Sequence, residues 1–107
     1  MRDPLRGEVW IARLDKVRPV VVMHRDVAGR YLNRILVVPV TTTNRDIPTN
    51  VALQAGEGGL TRPSVATVDN MTLAPKAVLI NPVGRLSESR MTQLCDALAI
   101  AVACSRR

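Results

Sequence analysis

The 107-residue chain contains no phenylalanine, one tryptophan (Trp10) and one tyrosine (Tyr31), so aromatics make up only 2% of it. Proteins that hold single-stranded nucleic acid commonly stack bases on aromatic rings, at about 1–3 kcal/mol per base. A nucleic-acid partner would here have to be held by charge, arginine planes and backbone contacts instead. Histidine occurs once, as His24, and cysteine twice, as Cys95 and Cys104. With no CxxC pair, that set does not make a zinc site, and no metal or other cofactor is expected. The cysteines stand nine positions apart in a segment that reads as one helix. That puts their α-carbons about 13 Å apart, too far for a disulfide, and both read as small buried hydrophobes. No apolar run approaches the ~18 residues of a membrane span. The opening MRDPLRGEVW lacks the apolar core of a signal peptide, so no membrane partner and a cytoplasmic location are expected. GxSxG and paired Cys/His nucleophile patterns are missing, and the glycine-rich AGEGG at Ala55–Gly59 lacks the Lys-Ser/Thr of a phosphate loop.

What the chain does have is positive charge. Fifteen Lys plus Arg against nine Asp plus Glu give a net charge of +6, and thirteen of the fifteen are arginine. The planar guanidinium fork suits phosphate better than lysine does, so an anionic partner is indicated, nucleic acid first and acidic protein second. At 47% hydrophobic residues the chain can build one core, and a single domain over residues 1–107 is expected.

Apolar periodicity divides the chain in two. Gly7–Leu14 alternates and reads as a strand, with Trp10 in the core; Pro19–His24 is β-branched and apolar almost throughout and reads as a strand covered on both faces. Only DKVR lies between them, which predicts a hairpin. Arg25–Asn33 reads as a loop. Ile35–Thr41 reads as a strand whose Pro39 implies an edge or a bulge. After the polar loop TTNRDIPTN come strands at Val51–Gln54 and Ser64–Asp69, separated by the AGEGG turn, and a short strand or bend at Ala77–Ile80. From Ser87 the period changes: Met91, Leu94, Cys95, Leu98 and Val102 recur at helical spacing. Ser87 stands where an N-cap belongs, Glu88 in the first turn, and Arg106 and Arg107 beyond the far end. Strands followed by one closing helix predict a mainly β fold, a small antiparallel sheet or barrel with a C-terminal helix packed on it.

Four blocks in order, RGEVW at Arg6–Trp10, VRPVVV from Val17, VVPVTTT from Val37 and GRLSESRMTQLCDAL from Gly84, resemble the MazF/PemK/Kid toxins, the endoribonucleases of type II toxin–antitoxin pairs. The resemblance spans roughly Arg6 to Ala103. It implies an SH3-like barrel with a long C-terminal helix, a homodimer, and metal-independent cleavage of single-stranded RNA, whether mRNA, tRNA or rRNA. In that reaction the 2′-hydroxyl attacks the adjacent phosphorus and leaves a 2′,3′-cyclic phosphate and a 5′-hydroxyl. It also implies a MazE-like antitoxin whose acidic C-terminal tail folds over the toxin.

The reaction needs an acceptor for the 2′-OH proton, a stabiliser for the phosphorane and a proton for the leaving oxygen. Arg18, from the RP strand start, and Thr41, after PV, match the family's catalytic motifs. Arg18 suits charge stabilisation rather than acid catalysis. Here DKVR is too short for the acidic or His-bearing first loop of many relatives. One branch carries an Arg two before the matching Asp, where this chain has Thr67, so Asp69 is a second-rank candidate for the base. His24, six residues after Arg18, would share its face on a regular strand. Lys16, Arg25, Arg30, Arg34 and Arg45 are the candidate RNA contacts. Two other readings stand beside this one: a gyrase-poisoning toxin of the CcdB type, and a basic SH3-like binding module without catalysis.

Overall fold

The computed structural model describes residues 2–43 and 45–103, and the side chains of all of these except 28 and 29. The strands are β1 (Glu8–Arg13), β2 (Val17–Val22), β3 (Arg34–Thr41), β4 (Asn50–Leu53), β5 (Ser64–Thr67), β6 (Thr72–Pro75) and β7 (Leu79–Arg85). The helices are α1 (Asp26–Tyr31) and α2 (Glu88–Ala101). All pairings are antiparallel; the strands run β4-β5-β3-β2-β1-β7, with β6 also paired to β3. A 3₁₀ turn at Lys76–Val78 joins β6 to β7, so the chain links two edges that no ladder closes. The result is the mainly β, barrel-like sheet with a C-terminal helix that the sequence predicts.

The sheet is apolar on both faces. Inside the curl lie Trp10, Ala12, Val20, Val22, Ile35, Val37, Ala74 and Leu79. Outside it, Val9, Val21, Val38 and Val40 pack with Val51, Leu53 and Ala66 beneath Met91, Leu94 and Ala97 of α2. Alternation along each strand sends neighbouring residues to opposite clusters, which is why the strands read as nearly continuous apolar runs. Ser87 caps α2 by accepting the Arg90 N–H at 3.2 Å, as its position before the helical period predicts.

RGEVW is a structural joint. Gly7 sits at φ +87°, a conformation that favours glycine. There it donates its N–H to Val22 and accepts the N–H of Leu86, tying the end of β2 to the entry of α2. Glu8 is buried, and its carboxylate accepts from the Leu5 N–H, the Trp10 indole and the Arg2 guanidinium. Burial pushes that carboxyl up, but the three hydrogen bonds together with the charge of Arg2 outweigh it and hold the group below its ordinary value.

Several expectations change. Arg25–Asn33 contains α1, a helix of six residues whose Asp26 accepts the Arg6 N–H at 2.7 Å; that tertiary bond at its first turn is invisible to local propensity. The fifth strand ends at Thr67, and Asp69 lies in a 3₁₀ turn at Val68–Asn70. Strand β6 was not legible, and Ala77–Ile80 is split between the Lys76–Val78 turn and the start of β7. Cys95 is exposed and free, because α2 buries only the narrow stripe of Met91, Leu94 and Ala97; Val102 is exposed too. Cys104, Arg106 and Arg107 lie outside the described residues.

Pro39 stands on an interior strand, not an edge. Its carbonyl accepts from Thr67 Oγ1 at 2.9 Å, so its missing N–H also points away from β2. There β3 exchanges partners: β6 pairs residues 34–37 and β5 pairs 40–41. The proline sits where no ladder bond is owed.

Two stability predictions follow from these joints. A Cβ at Gly84 would overlap the backbone of Gly58 and Gly59, so Gly84→Ala should lose at least about 2 kcal/mol in urea unfolding. Glu8→Gln should cost about 1 kcal/mol at pH 7. Because the native carboxyl is held low, its contribution is full above the ordinary carboxylate value and lost as pH falls through the lowered one. The two proteins should therefore converge in acid, as unfolding series at both pH values will report.

Candidate active site

Proline also ends the β2–β3 ladder. Its rungs are Val22 with Val37, Val21 with Val38 and Val20 with Pro39. By alternation the next N–H turned towards β3 would be that of residue 19, and Pro19 has none. Carried two residues further, the same register sets Arg18 across from Thr41, at the end where the strands are free to part. Arg18 pairs with Ala12 on β1, which puts its side chain on the inner face with Val20 and Val22; Thr41 continues the inner row of Ile35 and Val37.

On that face a cleft of about 450 Å³ opens, bounded by Arg18, Thr41, Thr43, Arg45, Ile47, Asn50, Thr67, Asp69 and Asn70. Its floor is a row of cross-strand neighbours, since Thr41 pairs with Val65 and Thr67 with Asn50. Thr43, Arg45 and Ile47 on one side and the Val68–Asn70 turn on the other form its walls.

The Arg18 side chain is only 20% exposed and donates from Nη2 to Asp15 Oδ2 at 2.9 Å. Its Nε is buried with no acceptor among the described residues. Asp15 is 74% exposed on the hairpin, and such a pair is worth about 0–1 kcal/mol, a weak competitor for a bidentate anion. Thr41 Oγ1 accepts the Thr43 N–H at 3.3 Å, which leaves its own O–H to donate. Asp69 Oδ2 accepts from the hydroxyl of buried Thr49 at 2.6 Å. The Asn50 amide donates to the Arg45 carbonyl at 2.8 Å, holding the loop against β4. A cation, a hydroxyl donor and a carboxylate thus converge, which suits acid–base and charge-stabilising work on a phosphodiester.

Of the sequence candidates, Arg18, Thr41, Asp69 and Arg45 meet in this cleft, and Lys16 stands on the adjoining hairpin tip. His24 does not. It lies beyond the end of β2, not on a strand face shared with Arg18, and its Nδ1 accepts the Leu36 N–H at 2.8 Å in place of a further ladder carbonyl. Burial, and then the neighbouring Arg25 charge, lower its pKa, which suits a neutral acceptor. Arg25, Arg30 and Arg34 belong to the opposite end of the sheet: Arg34 is seven residues along β3 from Thr41, about 23 Å of extended chain. Sequence reasoning missed Thr43, Asn50, Asn70 and Thr49. The only signal was that TTNRDIPTN is a long polar loop directly after the strand that carries Thr41.

A larger groove of about 1130 Å³ runs between α2 and the RGEVW joint. There Arg6 is committed to the Met23 carbonyl at 2.7 Å and to Cys95 Sγ at 3.2 Å, and Arg85 to the Arg6 carbonyl. Acidic Asp26, Glu88 and Asp96 line it as well, so it offers an anion no clear cationic cradle.

The family model described as "PemK-like, MazF-like toxin of type II toxin-antitoxin system" matches residues 5–102. The probable endoribonuclease MazF5 of Mycobacterium tuberculosis is 44% identical over 105 residues, covering 96% of each chain. Among solved structures, the Mycobacterium tuberculosis toxin MazF-mt6 superposes with a TM-score of 0.87 at 35% identity, covering 92% of this chain and 99% of that one. An endoribonuclease in complex with its cognate antitoxin, from a mycobacterial species, gives 0.86 at 28% identity over 97% and 99%. On a match over nearly its whole length, the chain belongs to the PemK-like, MazF-like toxins of type II toxin–antitoxin systems.

Proposed function

We propose that this toxin is a metal-independent endoribonuclease that cleaves single-stranded RNA at the cleft between β2, β3 and the Val68–Asn70 turn. The observation that carries the reading is the convergence there of Arg18, Thr41 and Asp69, drawn from three separate elements, in a chain 44% identical to a probable endoribonuclease.

Asp69 takes the 2′-OH proton as that oxygen attacks phosphorus. Arg18 exchanges Asp15 for the non-bridging oxygens and meets the charge that grows on them. Thr41 donates its O–H to the same phosphate or orients the nucleophile. The bond to the 5′ oxygen breaks, solvent in the open cleft protonates that oxygen, and a 2′,3′-cyclic phosphate remains. The substrate supplies its own nucleophile, so no metal is required to generate one. With no aromatic side chain among the described residues that line the cleft, the RNA is held through its phosphates and by Arg45 and the Asn50 and Asn70 amides.

Among the described residues no helix is long and apolar enough to cross a membrane. We read the site of action as the cytoplasm, where the RNA is, and the toxin as a homodimer of single-domain chains. Its partner is a MazE-like antitoxin whose acidic tail covers the basic cleft.

Purified protein incubated with bacterial total RNA in EDTA should create discrete new 5′-hydroxyl ends, mapped by sequencing. Arg18→Ala should lower their yield by at least about 100-fold, whereas His24→Ala should leave it within about threefold. Full activity in a folded Arg18→Ala protein would remove the cleft from the mechanism. No specific ends from the native protein would favour a binding module or a protein-poisoning toxin. Affinity for the acidic antitoxin tail should fall roughly tenfold or more between low and high salt, as calorimetry at two ionic strengths will measure.

A further inference from the structure

We infer that Thr49 is a positioning residue for the reaction, holding the Asp69 carboxylate in the orientation that accepts the proton; this rests on the reading of the cleft given above. Thr49 is only 7% exposed and lies immediately before β4, outside the residues that line the cleft. Two bonds clamp it to the opposite wall. Its carbonyl accepts the Val68 N–H at 3.1 Å, and its hydroxyl donates to Asp69 Oδ2 at 2.6 Å. The rung between Asn50 and Thr67 continues the clamp into the β4–β5 ladder.

Asp69 itself is exposed and sits in a 3₁₀ turn of three residues, a setting that leaves a short side chain free to turn. The Thr49 hydroxyl engages one carboxylate oxygen and fixes the plane of the group. Oδ1 is left with no internal partner among the described residues, available to the 2′-OH. Orientation of this kind acts on the chemical step, because a misaligned base binds substrate equally well and reacts more slowly. Val at position 49 keeps the β-branched shape and removes the donor, whereas Ser keeps the donor.

The experiment measures kcat and KM on an RNA oligonucleotide containing a mapped cleavage site, for native protein, Thr49→Val, Thr49→Ser, Asp69→Asn and Arg18→Ala, with thermal unfolding of each. Thr49→Val should lower kcat about tenfold with KM unchanged within twofold, and Thr49→Ser should recover to within about threefold of native. Equal losses in Val and Ser, a change confined to KM, or native kcat in Thr49→Val would overturn the inference. Should Thr49→Val not fold, Thr49→Ala carries the same comparison with Ser. Native-like cleavage by Asp69→Asn or Arg18→Ala would instead sink the assignment of the cleft. Loss in those two beside a native-like Thr49→Val would sink the positioning role alone.

Discussion

The cleft exists because Pro19 has no N–H to give. Across the β2–β3 ladder each inward rung needs a donor from one strand and an acceptor from the other, and the register runs out where residue 19 should donate. Beyond that point the strands keep their direction but lose the bonds that hold them together. Arg18 and Thr41 stand two positions past the last rung, so a loss of backbone pairing becomes an opening flanked by both side chains. Pro39 completes the arrangement from the other strand. It stands where β3 passes from β6 to β5, lets the second ladder begin, and brings β5 and the Val68–Asn70 turn to the same opening.

Arg18 and Thr41 continue the same inward-facing rows that supply the apolar core. Val22 and Val20 lead to Arg18; Ile35 and Val37 lead to Thr41. The guanidinium therefore stands at the end of an apolar row, with one exposed carboxylate as its partner and its Nε without an acceptor among the described residues. In such surroundings hydrogen bonds to an anion count for more than they do in open solvent. A charge placed at the end of a hydrophobic row is costly by the standards of folding alone, and it is the kind of expense that binding sites carry.

Much of this is legible in the sequence. Short apolar runs bounded by turn residues marked most of the strands, the change to period 3.6 at Ser87 marked α2 and its cap, and the ordered blocks pointed to Arg18 and Thr41. What could not be read has physical causes. The helix α1 depends on Asp26 meeting the Arg6 backbone, twenty residues away. Strand β6, TLAP, is too short and too mixed to show a period. His24 could be assigned a face only by extending β2 past Val22, where the chain in fact leaves the sheet and the imidazole replaces a strand carbonyl. The Thr49–Asp69 contact joins two turns twenty residues apart, and no spacing within either announces it.

RGEVW, the first of the four blocks, lines no part of the cleft. Arg6 and Gly7 tie the N-terminal segment to the end of β2 and to α2, and Glu8 satisfies three donors around Trp10. A positive φ at Gly7, the buried Glu8 carboxylate and the buried Trp10 indole each tolerate few substitutes. The proposed reacting groups, by contrast, are an arginine and a threonine marked only by the short RP and PVT segments, and an aspartate in a turn. The joint at Gly7 and Glu8 fixes the end of β2, the sheet fixes the register of β2 against β3, and through that register Arg18 and Thr41 come to the cleft that Asp69 also lines.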